Sequence, residues 1–290
     1  MFTLIVIYPG WLKGWWVMFK LGVITDEISR DVGKAIEVAG SLRLECIELR
    51  GCWNKNVKDL TDMELRKIRR LAKDAGLEVV CIASPLFKCN LTEESEVKEH
   101  LRFVRRLTEI TKFFDAELLR GFAFWSTGSL DDYWEEIIER LKEAVDICKS
   151  EGVIYALENE AATFVATGED AKKTVTAVGS KGIGITWDPG NSFCAGETPY
   201  PDGYLKARDH MVHVHLKDAV RDEESGRPKF VAIGTGEIDY KGQMKALLND
   251  GYNGCVSIET HYRLPNDGEK STRETLNGLL KVLEDLGIKV

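Results

Sequence analysis

Short apolar runs recur along the chain, separated by longer segments in which apolar residues step by three and four. The run centres fall near Val23, Glu48, Val80, Leu119, Ala156, Ile185, Val214 and Ser257. Such continuous runs predict strands buried on both faces, the habit of parallel sheets. Between them, Trp134, Ile138, Leu141, Val145 and Cys148 make one helical stripe, and Val97, Leu101, Val104, Leu107 and Phe114 make another. Thr61-x-x-Glu64 and Ser271-x-x-Glu274 read as capping boxes at helix starts, and Gly287 reads as the stop of the last helix. Strand and helix in alternation imply a parallel sheet, and eight such units match a single-domain (β/α)8 TIM barrel. An open doubly wound sheet would want a Gly-x-Gly-x-x-Gly turn after the first strand, expected at 19–25, and none is there. The barrel is therefore assigned to 18–290 and residues 1–17 to an N-terminal extension.

Composition narrows the function classes. A chain of 290 residues with 44% hydrophobic content has room for one large core. A formal charge of −8 without any basic block argues against binding nucleic-acid phosphates. Seven cysteines (Cys46, Cys52, Cys81, Cys89, Cys148, Cys194 and Cys255) include no Cys-x-x-Cys pair, so reduced, buried thiols in a cytoplasmic protein are expected. The first 19 residues are apolar and rich in Trp, yet Pro9, Gly10, Lys13 and Gly14 interrupt them. That argues against a secretory signal or a membrane span and suggests an extension from an upstream start codon, or a plug under the barrel.

The chemistry concentrates in the second half. Val153-Ile-Tyr-Ala-Leu-Glu158, Ile183-Gly-Ile-Thr-Trp-Asp188, Met211-Val-His-Val-His215 and Cys255-Val-Ser-Ile-Glu259 each end in a carboxylate or an imidazole. Strand C-termini of a parallel barrel converge on one face, where such barrels do their chemistry. Side chains two apart on a strand share a direction, so Glu158 competes with Glu160, His213 with His215, and Glu259 with His261. Asp188 is unambiguous, because Pro189 and Gly190 end the strand behind it. Three carboxylates and one imidazole suit Mn²⁺, Mg²⁺ or Co²⁺, with Zn²⁺ less favoured without thiolates.

With these strand ends, the chain resembles the xylose-isomerase-like barrel superfamily of sugar-phosphate isomerases and epimerases. The resemblance rests on Ile47-Glu48-Leu49-Arg50, Leu157-Glu158-Asn159, Trp187-Asp188-Pro189-Gly190-Asn191, His213-Val214-His215-Leu216-Lys217-Asp218, Gly234-Thr235-Gly236-Glu237-Ile238-Asp239 and Ser257-Ile258-Glu259-Thr260-His261. It implies that Glu158, Asp188, His215 and Glu259 hold one divalent metal, and that Glu158 and Glu259 are also catalytic. It further implies substrate contacts for Asn191, Lys217 and Arg221, and for His213 either a substrate contact or a place behind the metal ligands. A metal-chelated ketose would have an acidified C–H beside its carbonyl. Carboxylates on its two faces could then move a proton, so an isomerase or epimerase is the first expectation, with loss of a β-hydroxyl by an inosose dehydratase-like lyase as the alternative. Compared with ketose 3-epimerases, Asn191 stands where those enzymes commonly have His, and Phe164 where they have an acid. The His-Leu-Lys-Asp run is closer to the inosose dehydratase-like branch.

A small sugar or polyol is thus the expected partner, with no nucleic acid or membrane and with room for a homo-oligomer. An apurinic-site endonuclease of this barrel would need more histidines than the five present. A non-catalytic sugar-binding barrel is the third class, and intact ligands argue against it. Arg120 is expected to pair with Glu48 or to orient a hydroxyl, and His100 and His210 are expected at the surface. The turn at 234–239 reads as a rim loop or, at a helix start, an anion site. Residues 218–233 read as a mobile lid.

Overall fold

A computed structural model describes residues 15–16, 19–262, 264 and 267–289. Eight parallel strands close into a barrel: β1 (Lys20–Ile24), β2 (Cys46–Leu49), β3 (Glu78–Leu86), β4 (Leu118–Gly121), β5 (Ile154–Glu158), β6 (Ile183–Trp187), β7 (Met211–Leu216) and β8 (Cys255–Ile258). The sheet runs in chain order and closes where β8 pairs with β1. Each expected run centre falls inside one of these strands, and β6 is buried along its whole length. This is why continuous apolar runs rather than alternation carried the strand signal.

The outer ring contains α1 (Val32–Ser41), α2 (Asp62–Asp74), α3 (Glu94–Phe113), α4 (Trp134–Ser150), α5 (Gly168–Val178), α6 (Pro189–Cys194), α7 (Tyr240–Asn249) and α8 (Gly268–Asp285). The Thr61 capping box starts α2 as expected. The start of α8 differs from the Ser271 expectation. Asp267 takes the Lys270 amide and begins the helix one turn earlier, leaving Ser271 inside it. The α6 helix matters most to the site. Asp188 caps it by accepting the Asn191 amide, and Pro189 opens it. A Cβ on Gly190 would lie 2.4 Å from Lys217 Cγ, so only glycine lets α6 start against that lysine.

Two elements add to the expected picture. Residues 218–233, expected to act as a mobile lid, contain an antiparallel hairpin, Asp218–Arg221 against Pro228–Val231. Cys46 on β2 and Cys255 on β8 form a disulfide, against the expectation of thiols only. They reach each other across β1 at Gly22, where a Cβ would stand 2.7 Å from both sulfurs. The pair is 209 residues apart in sequence, and only barrel closure brings it together. The other five cysteines are free, four of them buried. From the N-terminal extension, Trp15–Trp16 pairs in parallel with Ile288–Lys289; the rest of 1–17 lies outside the described residues. Among the described residues no helix is long and apolar enough to cross a membrane.

Candidate active site

Glu158 ends β5, Asp188 follows β6, His215 lies near the end of β7 and Glu259 follows β8. All four are buried, and one ligand atom from each lies within 4.8 Å of the others. The structure therefore brings together the four residues expected from the resemblance, and their same-facing competitors take other partners or stand at the edge of the cluster. Glu160 pairs with Lys88 at 2.6 Å. His213 lies fully buried and bonds Glu48 through Nε2 at 2.7 Å. Of its two expected places this is the one behind the ligands and not the substrate contact, because its strand position sits two residues deeper in the barrel than His215. His261 stays beside the cluster, with Nε2 at 3.3 Å from Glu259, in a left-handed backbone conformation (φ 43°).

Cations are threaded between these acids. Lys217 Nζ lies 2.9 Å from both Asp188 Oδ2 and Glu259 Oε2, and its side chain is only 1% exposed. Its backbone is held by the Tyr240 hydroxyl, which accepts from Lys217 N and donates to Lys217 O, each at 2.8 Å. Arg120 Nη1 donates to Glu158 at 2.8 Å while Nη2 donates to the Ala83 and Ser84 carbonyls. Arg120 thus pairs with Glu158 and not with Glu48, since the β4 end faces the β5 end directly. Arg50 is gripped by Asp26, Glu27 and Glu259. Asn159 clamps the Asp188 backbone, donating to its carbonyl and accepting from its amide, both at 2.8 Å. Asn191 Nδ2 donates to Glu158 Oε1 at 3.2 Å.

Arg50, Glu48 and Asn159 were missed as site residues. A signal was there for the first two: charged residues two apart within an otherwise apolar strand, Ile47-Glu48-Leu49-Arg50, face one side. Phe164, where an acid was wanted, packs on Tyr133 with ring centroids 5.0 Å apart. Arg221 is exposed on the rim with its guanidinium 4.9 Å from the Phe193 ring centroid. Phe230 of the hairpin leans over the cluster, 5.2 Å from the His261 ring and 5.7 Å from Lys217 Nζ. His100 is not a plain surface residue; its Nδ1 accepts the Phe87 amide at 2.8 Å. The turn at 234–239 is no phosphate cradle, because Asp218 already takes the Gly234 and Gly236 amides.

The charge pattern sets protonation. Burial would raise the Glu158 carboxyl, but Arg120 and His215 hold it down at about 2. Burial acts the same way on Glu259, and Lys217 with His261 keeps it well below the usual range. Asp188 goes the other way. Burial, with Glu158 and Glu259 nearby, outweighs Lys217 and lifts it to about 7. Burial would lower the His215 imidazole, yet Glu48 and Glu158 raise it well above its ordinary value.

The donor set, three carboxylates and an imidazole, fits one hard or borderline divalent cation. A cation there requires Asp188 ionised and the facing His215 nitrogen free of its proton, so binding releases protons. Mn²⁺ affinity is therefore expected to fall at least tenfold from pH 7 to pH 6. Calorimetry in buffers of differing ionisation enthalpy checks this, and a pH-independent affinity would contradict it.

Comparisons with known proteins agree with the architecture. The curated relatives include an inosose dehydratase of Geobacillus kaustophilus, 27% identical over 142 residues that make up 44% of this chain and 46% of that protein. The matching region spans about half the length of the curated relatives. Among solved structures, the IOLI protein with a bound zinc atom superposes with a TM-score of 0.76 at 20% identity, covering 92% of this chain and 99% of that one. A D-allulose 3-epimerase from Methylomonas superposes with a TM-score of 0.74 at 16% identity, covering 91% and 98%. At these identities the superpositions speak for the fold alone. The sequence profile of the family described as xylose isomerase-like TIM barrel matches residues 36–282, most of the barrel. The chain belongs to that family.

Proposed function

We propose that the protein is a divalent-metal-dependent lyase that removes water from a small polyhydroxylated ketone of the inosose class. The observation that carries this reading is the buried Lys217 ammonium, in contact with both Asp188 and Glu259. Glu158 and Glu259 are both held ionised, so each can take a proton and neither starts with one to give. With Asp188 and His215 giving up their protons to hold a cation, Lys217 is the group in the cluster that keeps a proton to donate.

Glu158, Asp188, His215 and Glu259 would hold the cation. When bound, the cation supplies polarisation of the substrate carbonyl, which acidifies the neighbouring C–H. A glutamate accepts the proton from that carbon. The C–H electron pair first moves into the neighbouring carbonyl, reversibly; when it returns to form the new C=C bond the adjacent C–O bond breaks, and Lys217 protonates the departing hydroxyl. The products are water and an enone. The Glu259–Lys217 contact lets the captured proton return to the amine. Similarity to inosose dehydratases favours the same reading. The spent amides of 234–239 favour an unphosphorylated substrate.

A second reading, a sugar epimerase or isomerase, is favoured by glutamates approaching from the separate strands β5 and β8 and by the epimerase superposition. Incubating Mn²⁺-loaded protein with a panel of inososes and ketoses in D₂O separates the two. An absorbing enone with loss of one water is the expected result. Deuterium at C3 of a ketose without water loss would favour epimerisation, and at C1 or C2 isomerisation. If no substrate exchanges or loses water, the acid–base roles are wrong.

A further inference from the structure

Beneath the cluster, Glu48 and His213 form a buried polar pair that takes no part in the proposed proton transfers and touches the cluster only through His215. Glu48 stands on β2 and is fully buried. Its Oε1 is 2.7 Å from His213 Nε2 and its Oε2 is 3.2 Å from His215 Nε2. The two imidazoles meet edge to face, with centroids 5.2 Å apart at 85°. The opposite nitrogen of His215, Nδ1, points at the cluster, 3.3 Å from Glu158 Oε1 and 3.6 Å from Glu259 Oε2. Glu48 and these histidines could also be read as a second cation site, since three ligand atoms converge there. The 2.7 Å contact argues against it, being a direct hydrogen bond with both groups already spent on each other.

We infer that Glu48 is a positioning residue: by accepting the Nε2 proton of His215, it makes Nδ1 the nitrogen that faces the metal, and His213 holds Glu48 in place. The inference rests on the proposed metal role of His215. The physical reason is the two-nitrogen bookkeeping of imidazole, in which the bond made by one nitrogen decides what the other offers. An ionised carboxylate can only accept, so both histidines must present Nε2–H to it. His213 is free to do so, because its Nδ1 has no hydrogen-bond partner among the described residues. It lines a cavity of about 400 Å³ at the N-terminal end of the barrel, with room for water. A carboxylate that satisfies two donors from neighbouring positions of one strand also fixes the planes of both rings.

Glu48→Gln keeps the shape and removes that property. An amide offers one acceptor and one donor group, so it can accept from one imidazole only by donating to the other. The test reads ring protonation by ¹⁵N NMR of histidine-labelled protein, with and without Zn²⁺, beside Mn²⁺ affinity by calorimetry. In the unaltered protein His215 should carry a proton on Nε2 in both states. In Glu48→Gln one of the two histidines should lose its Nε2 proton, and Mn²⁺ binding should weaken about 10- to 100-fold. Glu48→Asp, which keeps the charge, should recover part of the affinity. A His215 Nε2 that bears no proton in the unaltered protein would overturn the inference, as would unchanged Mn²⁺ affinity in Glu48→Gln. Should the variant not fold, the spectrum of the unaltered protein decides alone. If the unaltered protein binds no Mn²⁺, the metal reading fails, while the Nε2 proton still decides the role of Glu48.

Discussion

Glu158→Gln is expected to reduce turnover by about 10²- to 10⁴-fold, the range for losing a positioned acid–base group, and to weaken divalent-metal binding as well. The side chain ends β5, is 1% exposed and contributes one of the four converging ligand atoms. Amide for carboxylate preserves volume but removes the negative charge that both a cation and a transferred proton require. A second consequence must be separated from the first. Arg120 is buried and donates to Glu158 at 2.8 Å, so the substitution leaves a guanidinium without its counter-charge. Stranding one partner of a buried pair costs about 3–5 kcal/mol. The companion variant Glu158→Gln with Arg120→Met removes that penalty. Melting temperature, bound metal and turnover measured on both variants distinguish the cases. If the double variant regains turnover, Glu158 serves stability and not chemistry.

Lys217→Met should separate two steps that most substitutions remove together. Water loss is expected to fall about 10²- to 10⁴-fold, because the proton donor to the leaving hydroxyl is gone. Exchange of the carbon-bound proton with D₂O should persist, because Glu158, Asp188, His215 and Glu259 are untouched. Methionine is close in length and apolar, so it keeps contact with Gly190 and the Phe230 ring, both of which neighbour Lys217. NMR of recovered substrate reads exchange, and enone absorbance reads elimination. Equal loss of both would make Lys217 a structural counter-ion, and full retention of both would remove it from the mechanism.

The eight strands were legible because parallel-barrel strands are covered on both faces, so their apolar runs stand out without any periodicity. Asp188 was legible for a local reason, the Pro189-Gly190 break behind it. Choosing His215 over His213, or Glu259 over His261, needed the family resemblance, because residues two apart share a face and differ only in depth. The same depth decided between the two places open to His213, behind the ligands and not facing substrate. The strand pairing within 218–233 was not legible, because the polar tip, Asp222 to Gly226, hides the pattern on either side.

The amino-acid sequence by itself determined the barrel, its eight units and the four strand ends that carry the acids and the imidazole. These properties are local: runs, stops and caps read within a few residues. The tertiary structure alone decided which charge meets which. Arg50 reaches Glu259 and Cys46 reaches Cys255 across 209 residues each, and Glu48 reaches His213 across 165. Those distances collapse only when β8 closes against β1, and the register of that closure is set by packing of the whole core, which no local pattern encodes.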